Sequence, residues 1–174
     1  MTLTEYLVAR DACDPSIPWV AGRPASEALW RECPDASWML WLCVHIGVRR
    51  ELLVLCATGC ARSVLHLVPV GEDRPRVAVE TAEAWCYGRA TLEQVRAAAY
   101  AAYVVAYAAA YAAYAARAAA CSADAAACSA YAAAEAGICT REHALARYAR
   151  GVRDVVPWWH VADRLMAAGV EVEK

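Results

Sequence analysis

Phenylalanine is absent from these 174 residues and methionine occurs three times. A core built from this chain must therefore take its bulk from leucine, valine, tryptophan and tyrosine. Seven tryptophans and nine tyrosines each bring a polar handle that needs a partner or water. An excess of positive charge is also missing. With 17 basic and 19 acidic residues the net charge is -2, and no basic run tracks phosphates, so nucleic acid is not expected as a partner. The nine cysteines are odd in number and none has CxxC spacing. No charged segment followed by an apolar run opens the chain. A disulfide scaffold is thus not expected, and a reducing, cytoplasmic setting is. Free thiols acting as small buried hydrophobes are the expectation, with a redox or metal role as the alternative.

Catalytic signatures are missing as well. The sequence has no glycine-rich phosphate loop and no GxSxG elbow, and its four histidines, His45, His66, His143 and His160, never pair at HxxxH or HxxH spacing. An enzyme is not expected, and no cofactor or metal is implied. Alternating strand patterns of useful length are absent too, which excludes a sheet protein.

What is present is alanine. Between Ala97 and Ala136 stand 25 alanines in 40 residues, interrupted in the first half by Tyr100, Tyr103, Tyr107, Tyr111 and Tyr114. Alanine loses no side-chain rotamers on folding, so the stretch is helical by propensity alone. At about 100° per residue the tyrosines share an arc of roughly 80°, forming one stripe. The sequence predicts an all-α, single-domain bundle of about seven or eight helices, residues 1–174, around this long Ala/Tyr-rich helix. Ala97 to Ala116 is uncharged and long enough to span a bilayer, but only Val104 and Val105 favour insertion, and five tyrosine hydroxyls would sit in hydrocarbon. No membrane is expected.

Local signals place the other elements. Thr4 is read as the cap of a helix to Arg10, broken by Asp14-Pro15 and Ile17-Pro18. A helix starts at Ser26 and ends at Cys33-Pro34-Asp35; Trp38 to Val48 is a buried helix closing near Gly47. Arg49 to Leu67 is another, with Gly59 marking a close helix crossing and Pro69 stopping it. Pro75 opens a helix that Gly88 closes. Thr91 and Gln94 form a capping box for the long helix, for which a break is expected near Ser122. Thr140 caps Arg141 to Val155, and Trp158 to Ala168 is the last helix, closed by Gly169.

Two groups of side chains are candidates for function. Tyr103, Tyr107, Tyr111 and Tyr114, with Arg117 about a turn beyond, form either a packing seam or a groove that stacks on a base or grips a partner helix. Glu80 and Glu83 lie three apart on one face; such carboxylates are more often a solvated face or partners for arginines such as Arg76 and Arg89 than an acid/base pair.

The segment Glu72-Asp-Arg-Pro-Arg76, continuing through Val79-Glu80, Ala82-Glu83, Trp85 and Gly88 into the Ala/Tyr helix, resembles a family of alanine-rich immunity proteins of bacteria and phages, the Imm-5-like group. Cys33-Pro34-Asp35 to Trp38-Met-Leu-Trp41 and Val152-Arg-Asp-Val-Val-Pro157 extend the likeness over roughly residues 27 to 157. The resemblance implies a small helical protein of immunity or anti-defence and supplies no catalytic residues. The expected function is neutralisation of a protein toxin or a defence component by binding. The alternative is a sponge that sequesters a nucleotide-like immune signal in a pocket lined by these tyrosines and arginines. Self-association into a homo-oligomer is a further expectation, since alanine faces and surplus tryptophan leave apolar surface to cover.

Overall fold

The computed structural model describes residues 1–105 and 140–173. Within them the chain is helical: α1 Leu3–Val8, α2 Ser16–Val20, α3 Glu27–Glu32, α4 Ala36–His45, α5 Arg50–Arg62, a short 3-10 turn Leu65–Leu67, α6 Arg74–Cys86, α7 Leu92–Val105, α8 Arg141–Val155 and α9 Trp158–Ala167. The only extended pairing among the described residues is an isolated parallel bridge between Ala25 and Val172. The all-α expectation holds for these residues. The expected break near Ser122, and the Ala/Tyr-rich stretch beyond α7, lie outside the described residues. No described helix is long and apolar enough to cross a membrane.

Helix ends follow the local chemistry with instructive exceptions. Thr2, not Thr4, caps α1: the Thr2 N–H donates to Glu5 Oε2 at 2.8 Å and the Glu5 N–H donates to Thr2 Oγ1 at 3.2 Å. A capping box needs an acceptor three residues on, and Thr2-Leu-Thr-Glu5 supplies it where Thr4, followed by Leu7, does not. Pro18 does not break the chain; it sits in the first turn of α2, where its missing N–H has no intrahelical acceptor to lose. Asp35 Oδ1 accepts the Ser37 N–H at 2.7 Å and starts α4 two residues before Trp38. Gly47, at φ 73°, ends α4 and lets the Val48 N–H reach the Cys43 carbonyl at 2.9 Å. That left-handed residue followed by a six-to-one bond is the Schellman closure. Gly88 ends α6 the same way, with Arg89 N–H on the Ala84 carbonyl at 2.8 Å. The Thr91–Gln94 box opens α7 at 2.7 and 3.1 Å, and Thr140 Oγ1 accepts the His143 N–H at 3.2 Å to open α8.

Among the described residues no helix crosses at Gly59. A Cβ placed there would meet none of their atoms within 4 Å, because Leu53, Cys56, Ala57 and Cys60 turn the buried stripe of α5 the other way.

One apolar core runs from Leu3 to Val170, with Tyr6, Met39, Leu40, Val79, Val152, Val161 and Leu165 fully enclosed. In it α8 packs on both α4 and α5, while α6 lies against α5 and α7. Polar ties stitch distant segments across this core. Tyr6 donates its hydroxyl to the His45 carbonyl at 3.1 Å, joining α1 to the end of α4. The Ser63 and Tyr148 hydroxyls are hydrogen-bonded at 2.8 Å while Ser63 donates to the Cys60 carbonyl at 2.7 Å, joining the end of α5 to α8. Arg153, on α8, donates to the Trp30 and Cys33 carbonyls at 3.4 and 3.2 Å. A cation at the carbonyl end of α3 satisfies groups that a six-residue helix leaves orphaned and complements its dipole. Burial holds the Arg153 guanidinium somewhat below its ordinary pKa.

Candidate functional site

The residues singled out in the sequence fall into two places. Tyr103 stands in the last turn of α7, while Tyr107, Tyr111, Tyr114 and Arg117 lie outside the described residues. Arg76, Glu80 and Glu83 share the exposed side of α6, each engaged by an ion of opposite sign. Arg76 meets Asp73 at 2.9 Å and Glu80 at 3.1 Å. Glu83 accepts two bonds from Arg62, at 2.7 and 2.6 Å. The partner of Glu83 is therefore Arg62 on α5, 21 residues away, and not Arg89, whose guanidinium lies over the Tyr87 ring at 5.1 Å. Bonding to Asp73 and Glu80 raises the Arg76 pKa, and bonding to Glu83 raises that of Arg62. Such exposed pairs contribute about 0–1 kcal/mol each, and the Arg62–Glu83 pair ties α5 to α6.

Glu80 and Arg89 line a shallow, open groove between α6 and α7, whereas an apolar cleft lies elsewhere. α1 brings Leu3 and Leu7; the segment through α2 brings Cys13, Ser16, Trp19 and Val20; α3 brings Leu29 and Trp30, with Cys33 just beyond. α4 adds Trp38, Met39, Trp41 and Leu42, and α9 adds Trp158 and Leu165. Residues 38, 41 and 42 are neighbours on one helical stripe, which is why a single helix supplies so much of the wall. Five of the seven tryptophans line one half-open cleft with about 60 Å³ of room for water-sized groups.

Local contacts fix these rings. Trp19 and Trp38 meet with centroids 6.0 Å apart, tilted by 52°. Trp41 stacks on His45 at 3.8 Å, and His45 Nδ1 lies 2.8 Å from the Trp41 carbonyl. Arg23 sits 4.6 Å from the centre of the Trp19 ring while pairing with Glu32, so its charge is spent outside the cleft. Ser16 donates its hydroxyl to the Cys13 carbonyl at 2.8 Å. Trp30 is only 5% exposed, and its indole nitrogen has no hydrogen-bond partner among the described residues.

No family model, curated protein or solved structure matches the chain. The chemistry of the cleft must therefore be read from its own walls. Among the described residues no acidic, basic or imidazole side chain lines it. Its thiols are poor nucleophiles where they are buried: desolvation pushes Cys33 up to about 11. The same cause holds Cys56 and Cys60 up at about 12 and Cys43 higher still. These four behave as the small hydrophobes the sequence led us to expect, whereas Cys13 is exposed and Cys86 half-buried. Among the described residues no group of three potential ligands is placed to hold a metal ion. What such a cleft does is take up apolar surface.

A second apolar feature lies on the outside of α9. Trp159 and Met166, 65% and 53% exposed, are two turns apart on one face, with exposed Asp163 between them. Neither the cleft nor this stripe was apparent from the sequence, because the cleft's walls come from separated segments. The available signal was compositional: a chain that replaces phenylalanine with tryptophan and places two of the rings side by side at Trp158-Trp159.

Proposed function

We propose that the protein is a non-enzymatic immunity or anti-defence protein of the Imm-5-like group, which neutralises a toxin or a defence component by binding it in the cytoplasm. The observation that carries this reading is the exposed tryptophan and methionine stripe of α9. A tryptophan is left 65% in solvent with an exposed methionine two turns along the same face, across Asp163, and both residue types are enriched where proteins meet. The arginine named for the nucleotide-sequestering alternative on α6, Arg76, is already held by Asp73 and Glu80. The protein-binding reading is therefore the one the described surface favours.

Native mass spectrometry of the protein purified from its own or a related host tests it. The expected result is a stoichiometric protein partner that is lost in Trp159→Ser, while the fold of that variant is unchanged by circular dichroism. A doubled mass of the chain, lost in the same variant, would reassign the stripe to self-association. A stoichiometric nucleotide with no protein partner would replace this reading with sequestration.

A further inference from the structure

We propose that the solvent face of α8 docks an acidic helical segment of the protein partner. The inference rests on the protein-binding reading above and supplies that partner's charge. At about 100° per residue, positions 143, 147, 150 and 154 fall within an arc of roughly 60°. His143, Arg147, Arg150 and Asp154 therefore form one stripe, and all four are exposed. Ala144, Leu145, Tyr148, Ala149 and Val152 bury the opposite side of the helix.

The contrast with arginines elsewhere sets this stripe apart. On α3 Arg31 pairs with Glu27, and on α6 Arg76 pairs with Glu80, each at a spacing of four residues. Arg23, Arg62 and Arg74 each hold a glutamate as well. On α8 the pattern is reversed. Arg147 and Arg150 stand three apart as like-charged neighbours, and neither joins an ion pair among the described residues. That spacing weakens a helix where a carboxylate would strengthen it. Glu142 offers no relief, because it lies off the stripe and serves the N-terminus, where backbone and Thr140 hydrogen bonds hold its carboxyl below the usual range. Two open guanidinium forks one turn apart match two carboxylates one turn apart, each taken in a pair of parallel bonds.

Asp154 decides between classes of partner. A nucleic acid presents phosphates without interruption, and a carboxylate at the end of the stripe would repel one of them. A protein helix can set a lysine or arginine opposite Asp154 and carboxylates opposite Arg150, Arg147 and His143. The net charge of -2 gives no long-range pull on nucleic acid either. From His143 to Asp154 the stripe runs about 16 Å, three helical turns. The occupant is thus a helix of three turns or more, with three acids and one base in that order.

The probe is a fluorescein-labelled, alanine-based helical peptide of about 20 residues, with three glutamates and one lysine at the spacing of the stripe. Its binding to the full chain is followed by anisotropy at about 20 mM and about 200 mM salt, beside a version with glutamine for glutamate and a duplex DNA. Saturable binding of the acidic peptide is expected, at least tenfold tighter than the glutamine version and weaker at the higher salt. Arg147→Glu/Arg150→Glu should weaken it at least tenfold and should instead bind a peptide with lysine for glutamate. Arg89→Glu/Arg96→Glu, on exposed positions outside α8, makes the same change in net charge and should alter affinity less than threefold. Both arginines of each pair are exposed, and circular dichroism checks that the variants fold. Equal losses in the two double variants, duplex DNA binding more tightly than the peptide, or no saturable peptide binding would each overturn the proposal. A stoichiometric partner in native mass spectrometry with no peptide binding removes this inference and leaves the protein-binding reading standing. Peptide binding by the stripe with no partner in native mass spectrometry removes the reading and leaves the acidic-helix site.

Discussion

Raising the pH should unfold this protein through its buried thiols. Cys33, Cys43, Cys56 and Cys60 are 7%, 0%, 4% and 4% exposed, and burial raises all four above the ordinary value of 9.0, to about 11 for Cys33 and about 12 for Cys56 and Cys60. Because the folded state holds these protons more tightly than the unfolded chain, their contribution to stability is complete below about pH 9. It is lost as pH rises from there toward 11 and 12, since the unfolded thiols ionise first. Each decade of that window removes about 1.4 kcal/mol per thiol. At pH 10, one decade above 9.0, that is roughly 5–6 kcal/mol for the four together, comparable to the low end of the typical total of about 5–15 kcal/mol for a domain. The assay is urea denaturation under reducing conditions at half-unit steps from pH 7 to pH 10, followed by tryptophan fluorescence. In Cys56→Ala/Cys60→Ala the neutral-pH stability drops through lost packing, but the decline toward pH 10 should shrink by about half. Tyrosine and lysine titrations are common to both proteins and cancel. Equal slopes in the two proteins between pH 8 and pH 10 would refute the reasoning.

Two further outcomes follow from single contacts. Tyr6→Phe removes the hydroxyl bond to the His45 carbonyl at 3.1 Å and should cost about 1 kcal/mol in urea denaturation with an unchanged m-value. Brief iodoacetamide treatment of the folded protein, mapped by peptide mass, should label exposed Cys13 and spare Cys33, Cys43, Cys56 and Cys60 until denaturant is added.

Local signals were the ones the sequence could deliver. Thr140, the Thr91–Gln94 box, Gly88 and Gly169 each act through an atom three to six residues away, and each marks the helix end it was expected to mark. The misreadings have equally local causes. Two threonines compete at the start of α1, and only the one with glutamate three residues on forms the cap. Pro18 is a breaker in mid-helix and harmless in a first turn, a distinction that depends on where the helix begins. Non-local facts were closed to the sequence. Glu83 finds Arg62 across the α5–α6 packing rather than along its own helix, and no periodicity within α6 announces that. The cleft needs Leu3, Trp30, Trp41 and Trp158 to meet, four residues with no spacing rule between them. An orphaned indole N–H is visible only once its surroundings are.

The bonds from Arg153 to the Trp30 and Cys33 carbonyls set the order of events at the ribosome. The first four helices leave the exit tunnel while α8 and α9 have yet to be translated, so α3 waits with its carbonyl end uncapped and the cleft without Trp158 and Leu165. At about 5–20 residues per second, the interval between Cys33 and Arg153 lasts on the order of 6–24 seconds. During that interval a nascent chain displays Trp19, Trp30, Trp38 and Trp41 with no lid.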